Sequence, residues 1–137
     1  MLSPSGPFTV EMWIRGKAID DFPLNIAPVL LDMKYVPGNH TGFMLTLTAS
    51  SSNGTRRLAL ELGTGTESNH SYSDPFPFEA DVWQHIAFTY DARGTVAFFV
   101  NGESQGKTHT ATAGPMADAV RPLAIGDRIG SWLPGVH

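Results

Sequence analysis

The sequence contains no cysteine. Disulfides and thiolate metal sites are therefore excluded, and the compartment cannot be read from redox chemistry. It contains no apolar run long enough to span a bilayer as a helix, so no membrane insertion is expected. No stretch sustains a helical apolar period, and no internal repeat stands out. Charged residues make up only 16% and the net charge is −4, without a basic stripe to meet phosphates, so no nucleic-acid partner is expected. The lone adjacent basic pair, Arg56-Arg57, reads as a hairpin flank. The opening residues MLSPSGPF place no basic region before an apolar run, so no signal peptide is expected in them.

What is abundant is turn chemistry. Fourteen Gly and ten Pro, with 42% hydrophobic residues, favour an all-β globule. A chain of 137 residues is expected to be one domain, 1–137, large enough for a two-layer core and read as a fragment or excised module of a larger protein.

The organising stretch is Trp83 to Gly106. Trp83 to Tyr90 alternates, with Ile86, Phe88 and Tyr90 on one face and His85, Ala87 and Thr89 on the other. Asp91-Ala92-Arg93-Gly94 predicts a tight hairpin into Thr95 to Val100, whose Val96, Phe98 and Val100 join the first face. Asn101-Gly102 predicts a type I′ turn, because both central residues must take positive φ. Glu103 to His109 is the return strand. Such a three-stranded unit needs an opposing layer.

The rest of the chain can supply it. Phe8 to Arg15 turns Phe8, Val10, Met12 and Ile14 one way and Thr9, Glu11, Trp13 and Arg15 the other. Val29 to Tyr35, Phe43 to Ala49 and Arg57 to Leu62 are further strands, the last two with Phe43, Leu45, Leu47, Leu58, Leu60 and Leu62 inward. Gly63 to Asp81 reads as a long polar loop with one short edge strand near Ser71 to Ser73, since Pro75 and Pro77 exclude a central strand. Pro122 to Gly126 is a short strand, and Asp127 to Pro134 another candidate. The expected fold is an antiparallel β-sandwich.

Three motifs in these strands resemble the laminin-G-like, concanavalin-A-type jelly rolls. They are Trp83-Gln84-His85-Ile86-Ala87-Phe88-Thr89-Tyr90-Asp91 with Phe99-Val100-Asn101-Gly102, Phe8 to Ile14, and Pro122-Leu123-Ala124-Ile125-Gly126. The resemblance implies a concanavalin A-like jelly roll. It also implies one lacking terminal strands, because Gly135-Val136-His137 stops where the family continues. Exposed edges at Pro122 to Val136 and Phe8 to Ile14 then suggest a homodimer. Function does not follow from this fold, which carries lectins, adhesion modules and glycanases alike.

The face opposite the core is the best functional candidate. Glu11, Trp13, Arg15, Thr46, Thr48, Glu61, His85 and Thr89 would meet there if their strands share one sheet. An indole stacks on a sugar ring, while carboxylates, Arg and Thr bond hydroxyls. Trp132 could add a rim contact, whereas Trp83 is read as a packing residue. Glu79-Ala80-Asp81 resembles a glycanase strand motif but lacks a second Glu, and the five histidines lack metal spacing. No cofactor is expected. Calcium could draw on Asp20, Asp21, Asp32, Glu103 and Asp127, yet these have no organised ligand spacing. Asn39, Asn53 and Asn69 begin N-glycosylation sequons of chance type.

The expected function is a non-catalytic module binding a carbohydrate or glycoprotein, extracellular or at the cell surface within a longer chain. The alternative is a structural or protein-interaction module. A glycoside hydrolase is the third reading.

Overall fold

The structure is a computed structural model that describes residues 4–16, 28–34, 40–48, 54–110 and 114–126. Its strands in chain order are β1 (Phe8–Arg15), β2 (Val29–Asp32), β3 (Phe43–Leu47), β4 (Thr55–Arg56), β5 (Leu58–Gly63), β6 (Ser68–Tyr72), β7 (Phe76–Pro77), β8 (Trp83–Tyr90), β9 (Thr95–Val100), β10 (Glu103–His109) and β11 (Ala124–Ile125). No helix occurs among the described residues.

The strands form an antiparallel sandwich. One sheet has the order β1-β8-β9-β10, the other β11-β2-β3-β5-β6, and β4 with β7 makes a small ribbon. The expected inward residues fill the space between: Ile14, Leu45, Leu47, Leu58, Leu60, Leu62, Ile86, Phe88, Val96 and Phe98 are buried. Burying each such side chain contributes about 1.5–3 kcal/mol. Phe8 rests on Phe43 and Phe88, with ring centroids 6.1 and 5.9 Å away, and so ties β1 to both sheets.

Both hairpins carry the expected turn chemistry. Asn101 and Gly102 have φ of 51° and 81°, as a type I′ turn requires. In the turn before β9, Ala92 and Gly94 take the positive φ values. There Asp91 Oδ1 accepts the N–H groups of Arg93 (2.7 Å) and Thr95 (2.9 Å). The Thr95 N–H bond above all holds the Asp91 carboxyl below its ordinary pKa.

Several expectations are corrected. The strand read as Val29 to Tyr35 ends at Asp32, and Tyr35 lies outside the described residues. Asp32 and Lys34, placed on its outer side, are only 1% and 2% exposed. The segment read as a polar loop with one short edge strand near Ser71 to Ser73 holds a longer strand there, β6, and a second short one, β7. Polar residues Ser68 to Tyr72 carry no apolar alternation, and backbone pairing to β5 decides their conformation.

Arg56, read as a hairpin flank, is buried. Its guanidinium lies 5.4 Å from the Phe78 ring centre, and Nη1 donates to Thr48 O at 2.7 Å. Burial lowers its pKa. The Phe78 ring in turn fills the space beside Gly16, where a Cβ would come within 2.3 Å of Cζ.

The stretch from Gly114 to Ala119 closes the sandwich near β3 and β5. Tyr90 Oη donates to Gly114 O at 2.6 Å, and Ala117 bonds Gly42 and Gly63 through its backbone. Burial, and then the nearby Asp91 charge, raises the Tyr90 pKa. Residues 127–137, including the candidate strand Asp127 to Pro134, lie outside the described residues.

Candidate functional site

The period of two places Trp83, His85, Ala87 and Thr89 on the solvent side of β8. On β1 it places Thr9, Glu11, Trp13 and Arg15 there. The register brings these rows together: Trp13 stands opposite His85, Arg15 opposite Trp83, Glu11 opposite Ala87 and Thr9 opposite Thr89. Phe99 continues the Glu11–Ala87 row on β9 and is half-buried.

Two indoles dominate this face. Trp13 is 62% exposed and Trp83 59% exposed. Their register makes them diagonal neighbours across two adjacent strands, about 7–8 Å apart. The Trp13 ring meets the His85 imidazole edge-on, at 5.2 Å between centroids and 63° between planes. His85 Nε2 lies 3.6 Å from Glu11 Oε2. Arg15 Nε donates to Asp81 O at 3.1 Å, and Arg15 Nη2 stands 3.9 Å from Asp81 Oδ1.

The β9–β10 turn fixes the His85 row. His85 N–H donates to Asn101 Oδ1 at 2.8 Å, and Asn101 N–H returns a bond to His85 O at 2.7 Å. The tight turn around Asp81, with φ of 59°, carries its carboxylate towards Arg15. The face thus offers two apolar ring surfaces, one imidazole, one guanidinium and two carboxylates, with charges of both signs.

The single-face expectation holds for only part of the set. Glu11, Trp13, Arg15, His85 and Thr89 share the outer face of the four-stranded sheet. Thr46, Thr48 and Glu61 belong to the opposite side of the sandwich, because β3 and β5 are in the other sheet. They are also engaged there. Glu61 Oε1 lies 3.4 Å from Lys34 Nζ, Thr46 Oγ1 donates to Ala59 O at 3.5 Å, and Thr48 Oγ1 accepts Arg57 N–H at 3.0 Å. Trp132 lies outside the described residues.

Trp83 is the chief residue that sequence reasoning misplaced. Its own strand carried the signal: with Ile86, Phe88 and Tyr90 inward, the inward place goes to Gln84. That amide is buried but satisfied, with Oε1 accepting Glu79 N–H at 3.2 Å and Nε2 donating to Pro77 O at 3.4 Å. Asp81 and Asn101 were also missed as contributors, since both act from turns.

Other candidate chemistry does not assemble. Glu79 is exposed in the lead-in to β8, and Asp81 serves Arg15. Asp32 and Glu103 sit in different sheets, while Asp20, Asp21 and Asp127 lie outside the described residues. Among the described residues, no three His, Asp or Glu side chains gather to hold a metal ion. Asn69 is half-buried within β6, whereas Asn39 and Asn53 lie outside the described residues.

Residues 1–136 match the family described as the concanavalin A-like lectin/glucanases superfamily, in its laminin G branch. The chain belongs to this superfamily. No match to a curated protein sequence was found. Among solved structures, the superfamily fold is shared with a heptameric SAP-like pentraxin from Limulus polyphemus, at TM-score 0.63 and 18% identity, over 90% of this chain and 52% of that one. The binding domain of Paraclostridial Mosquitocidal Protein 1 aligns at TM-score 0.61 and 16% identity, over 86% of this chain and 28% of that one. Domains LG4-5 of the mouse laminin alpha1 chain align at 0.56 and 13%, over 93% and 30%. This lectin/glucanase-type chain therefore spans about half or less of each neighbour's length, and at such identities the likeness is one of fold.

Proposed function

We propose that this chain is a non-catalytic module that binds a carbohydrate, free or on a glycoprotein, as part of a larger extracellular protein. The observation that carries this reading is the pair of exposed indoles on the β1–β8 face. The core does not need them, and exposed aromatic surface flanked by polar groups is the form a ligand platform takes. An indole face covers the C–H face of a sugar ring, and Glu11, Arg15, Asp81 and His85 stand beside it to bond hydroxyls. Their mixed charge suits a neutral sugar better than an acidic one.

A protein-interaction module is the second reading. It is favoured by Val120 and Ile125, which are exposed apolar residues at and before the edge strand β11. Self-association through a sheet edge forms part of the proposal as well, with β1 and β11 among the edge strands.

Screening on a glycan array tests the main reading. Binding is expected for the intact chain and is expected to vanish in Trp13→Ala and in Trp83→Ala while circular dichroism stays unchanged. Binding that survives both substitutions moves the site elsewhere. Absence of binding to every glycan favours the protein-interaction reading. Release of reducing sugar from a β-glucan, abolished by Glu79→Gln, would overturn the non-catalytic assignment.

A further inference from the structure

The β1–β8 pair holds its two indoles at a set spacing. At the far side of the same sheet β10 is irregular, with a register shift between Ser104 and Lys107 where Asp74 N–H donates to Gln105 O at 2.7 Å. Between β1 and β8 the pairing runs without a shift, from Phe8 opposite Tyr90 to Arg15 opposite Trp83. Trp83 and Trp13 therefore stand in successive outward rows, one on each strand. The backbone of both rows is pinned. Asn101 accepts His85 N–H and donates back to His85 O in the Trp13 row. In the Trp83 row Arg15 Nε donates to Asp81 O, and Asp81 N–H donates to Gly16 O at 2.7 Å. Ring surfaces carried on such a backbone are partly ordered before a ligand arrives, which lowers the cost of binding.

The spacing is too wide for one sugar. Diagonal neighbours across an antiparallel pair stand about 7–8 Å apart. Neighbouring strands lie about 4.8 Å apart, and a pyranose ring is roughly that wide. One ring therefore covers one indole, and two linked rings cover both. Among the described residues the remaining exposed Trp, Tyr or Phe is Tyr72, which belongs to the other sheet. This face thus offers two such surfaces and not three.

Each indole has its own polar groups. Arg15 stands opposite Trp83, and its guanidinium lies 3.9 Å from the Asp81 carboxylate, so the two charges there offset each other. Glu11 stands on the same face as Trp13, with its carboxylate more than two-thirds exposed and 3.6 Å from His85 Nε2. An ionised carboxylate only accepts hydrogen bonds. The hydroxyls of a neutral sugar donate to it, whereas an acidic sugar would bring a further carboxylate against Glu11 and Asp81.

We propose that this face is a two-ring site: one ring of a neutral glycan lies on Trp83 beside Arg15 and Asp81, and the next ring of the same glycan lies on Trp13 beside Glu11 and His85. This rests on the carbohydrate reading above and sets the number of linked rings that the site takes. Because the two places differ in their polar groups, the glycan lies in one direction.

Calorimetric titration of the 137-residue chain with the mono-, di- and trisaccharides of β-1,4-linked glucose, mannose and N-acetylglucosamine tests it. In the series that binds, the disaccharide should bind roughly tenfold or more tighter than the monosaccharide, and the trisaccharide within about threefold of the disaccharide. Trp13→Ala and Trp83→Ala, each with circular dichroism confirming its fold, should each bring the disaccharide down to the affinity of the monosaccharide. The length series needs no variant and decides the matter by itself where a variant fails to fold. A monosaccharide that binds as tightly as the disaccharide overturns the two-ring site and leaves the carbohydrate reading standing. So does a trisaccharide that gains roughly another tenfold, or a disaccharide indifferent to either substitution. Binding of none of these sugars overturns the two-ring site and the carbohydrate reading together, and leaves the face to a protein partner.

Discussion

Trp13 and His85 stand directly opposite each other across β1 and β8, with their rings edge-on and 5.2 Å apart. The contact orients an indole that the core does not hold. Truncating Trp13 to Ala should lower folding stability by about 0.5–1 kcal/mol, little more than the ring pair itself is worth, because the rest of the side chain is on the surface. A double-mutant cycle with His85→Ala should show a coupling of about 0.5–1 kcal/mol, in the range of an aromatic pair. Urea denaturation of the four proteins reads both numbers. A coupling of zero would mean that the rings are neighbours without mutual attraction.

Asn101 supplies the next prediction, since it takes positive φ and also accepts the His85 N–H. Asn101→Gly keeps the turn and loses the side-chain bond, at a cost of about 1 kcal/mol. Asn101→Ala loses the bond and adds left-handed strain of about 1–2 kcal/mol. The Ala variant should therefore be the less stable of the two in a thermal melt. The reverse order would show that the side-chain bond and the strain have been misassigned.

Asp91 makes stability depend on pH. Its carboxyl, held below the ordinary value chiefly by the Thr95 N–H, favours the folded state when ionised. That contribution is present above about pH 4, the unfolded value, and is lost as the pH falls through the lower folded value. Asp91→Asn keeps an acceptor oxygen but no charge. The variant should be less stable than the parent at neutral pH, and their melting curves should converge as the pH falls through the lowered folded-state value. A gap that is constant from pH 7 downward would contradict this.

Phe88 lies at the centre of the aromatic cluster, 5.9 Å from the Phe8 ring and 5.5 Å from the Phe43 ring. Phe88→Ala should cost about 3–5 kcal/mol by lost transfer energy and an unfilled cavity. Phe88→Leu keeps most of the volume and should cost clearly less. Denaturant midpoints report both, and equal losses would place Phe88 outside the packed core.

Alternating strands with apolar inner faces were plain in the sequence, from Phe8 to Arg15 and from Trp83 to Val100. Their inward residues must leave water, and the period of two says which they are. The family resemblance carried by the same residues agrees with the fold. The candidate face was only half legible. Alternation tells which side of a strand a residue takes, but not which sheet the strand joins, so Thr46, Thr48 and Glu61 were grouped with residues on the far side of the molecule. β6 was placed only approximately, near Ser71 to Ser73, because an edge strand paired through its backbone needs no apolar side chains to mark its bounds. Asp81 and Asn101 reach the site from turns, where no periodicity marks a residue's direction.

The irregularity between Ser104 and Lys107 has a consequence for growth. A sheet that can add strands at both ends polymerises, because each added chain offers a fresh end. Here the chain's own Asp74 N–H takes the Gln105 carbonyl, so the β10 end presents a broken row of backbone groups to any incoming strand. The same local kink that interrupts β10 thus works against strand addition along that edge.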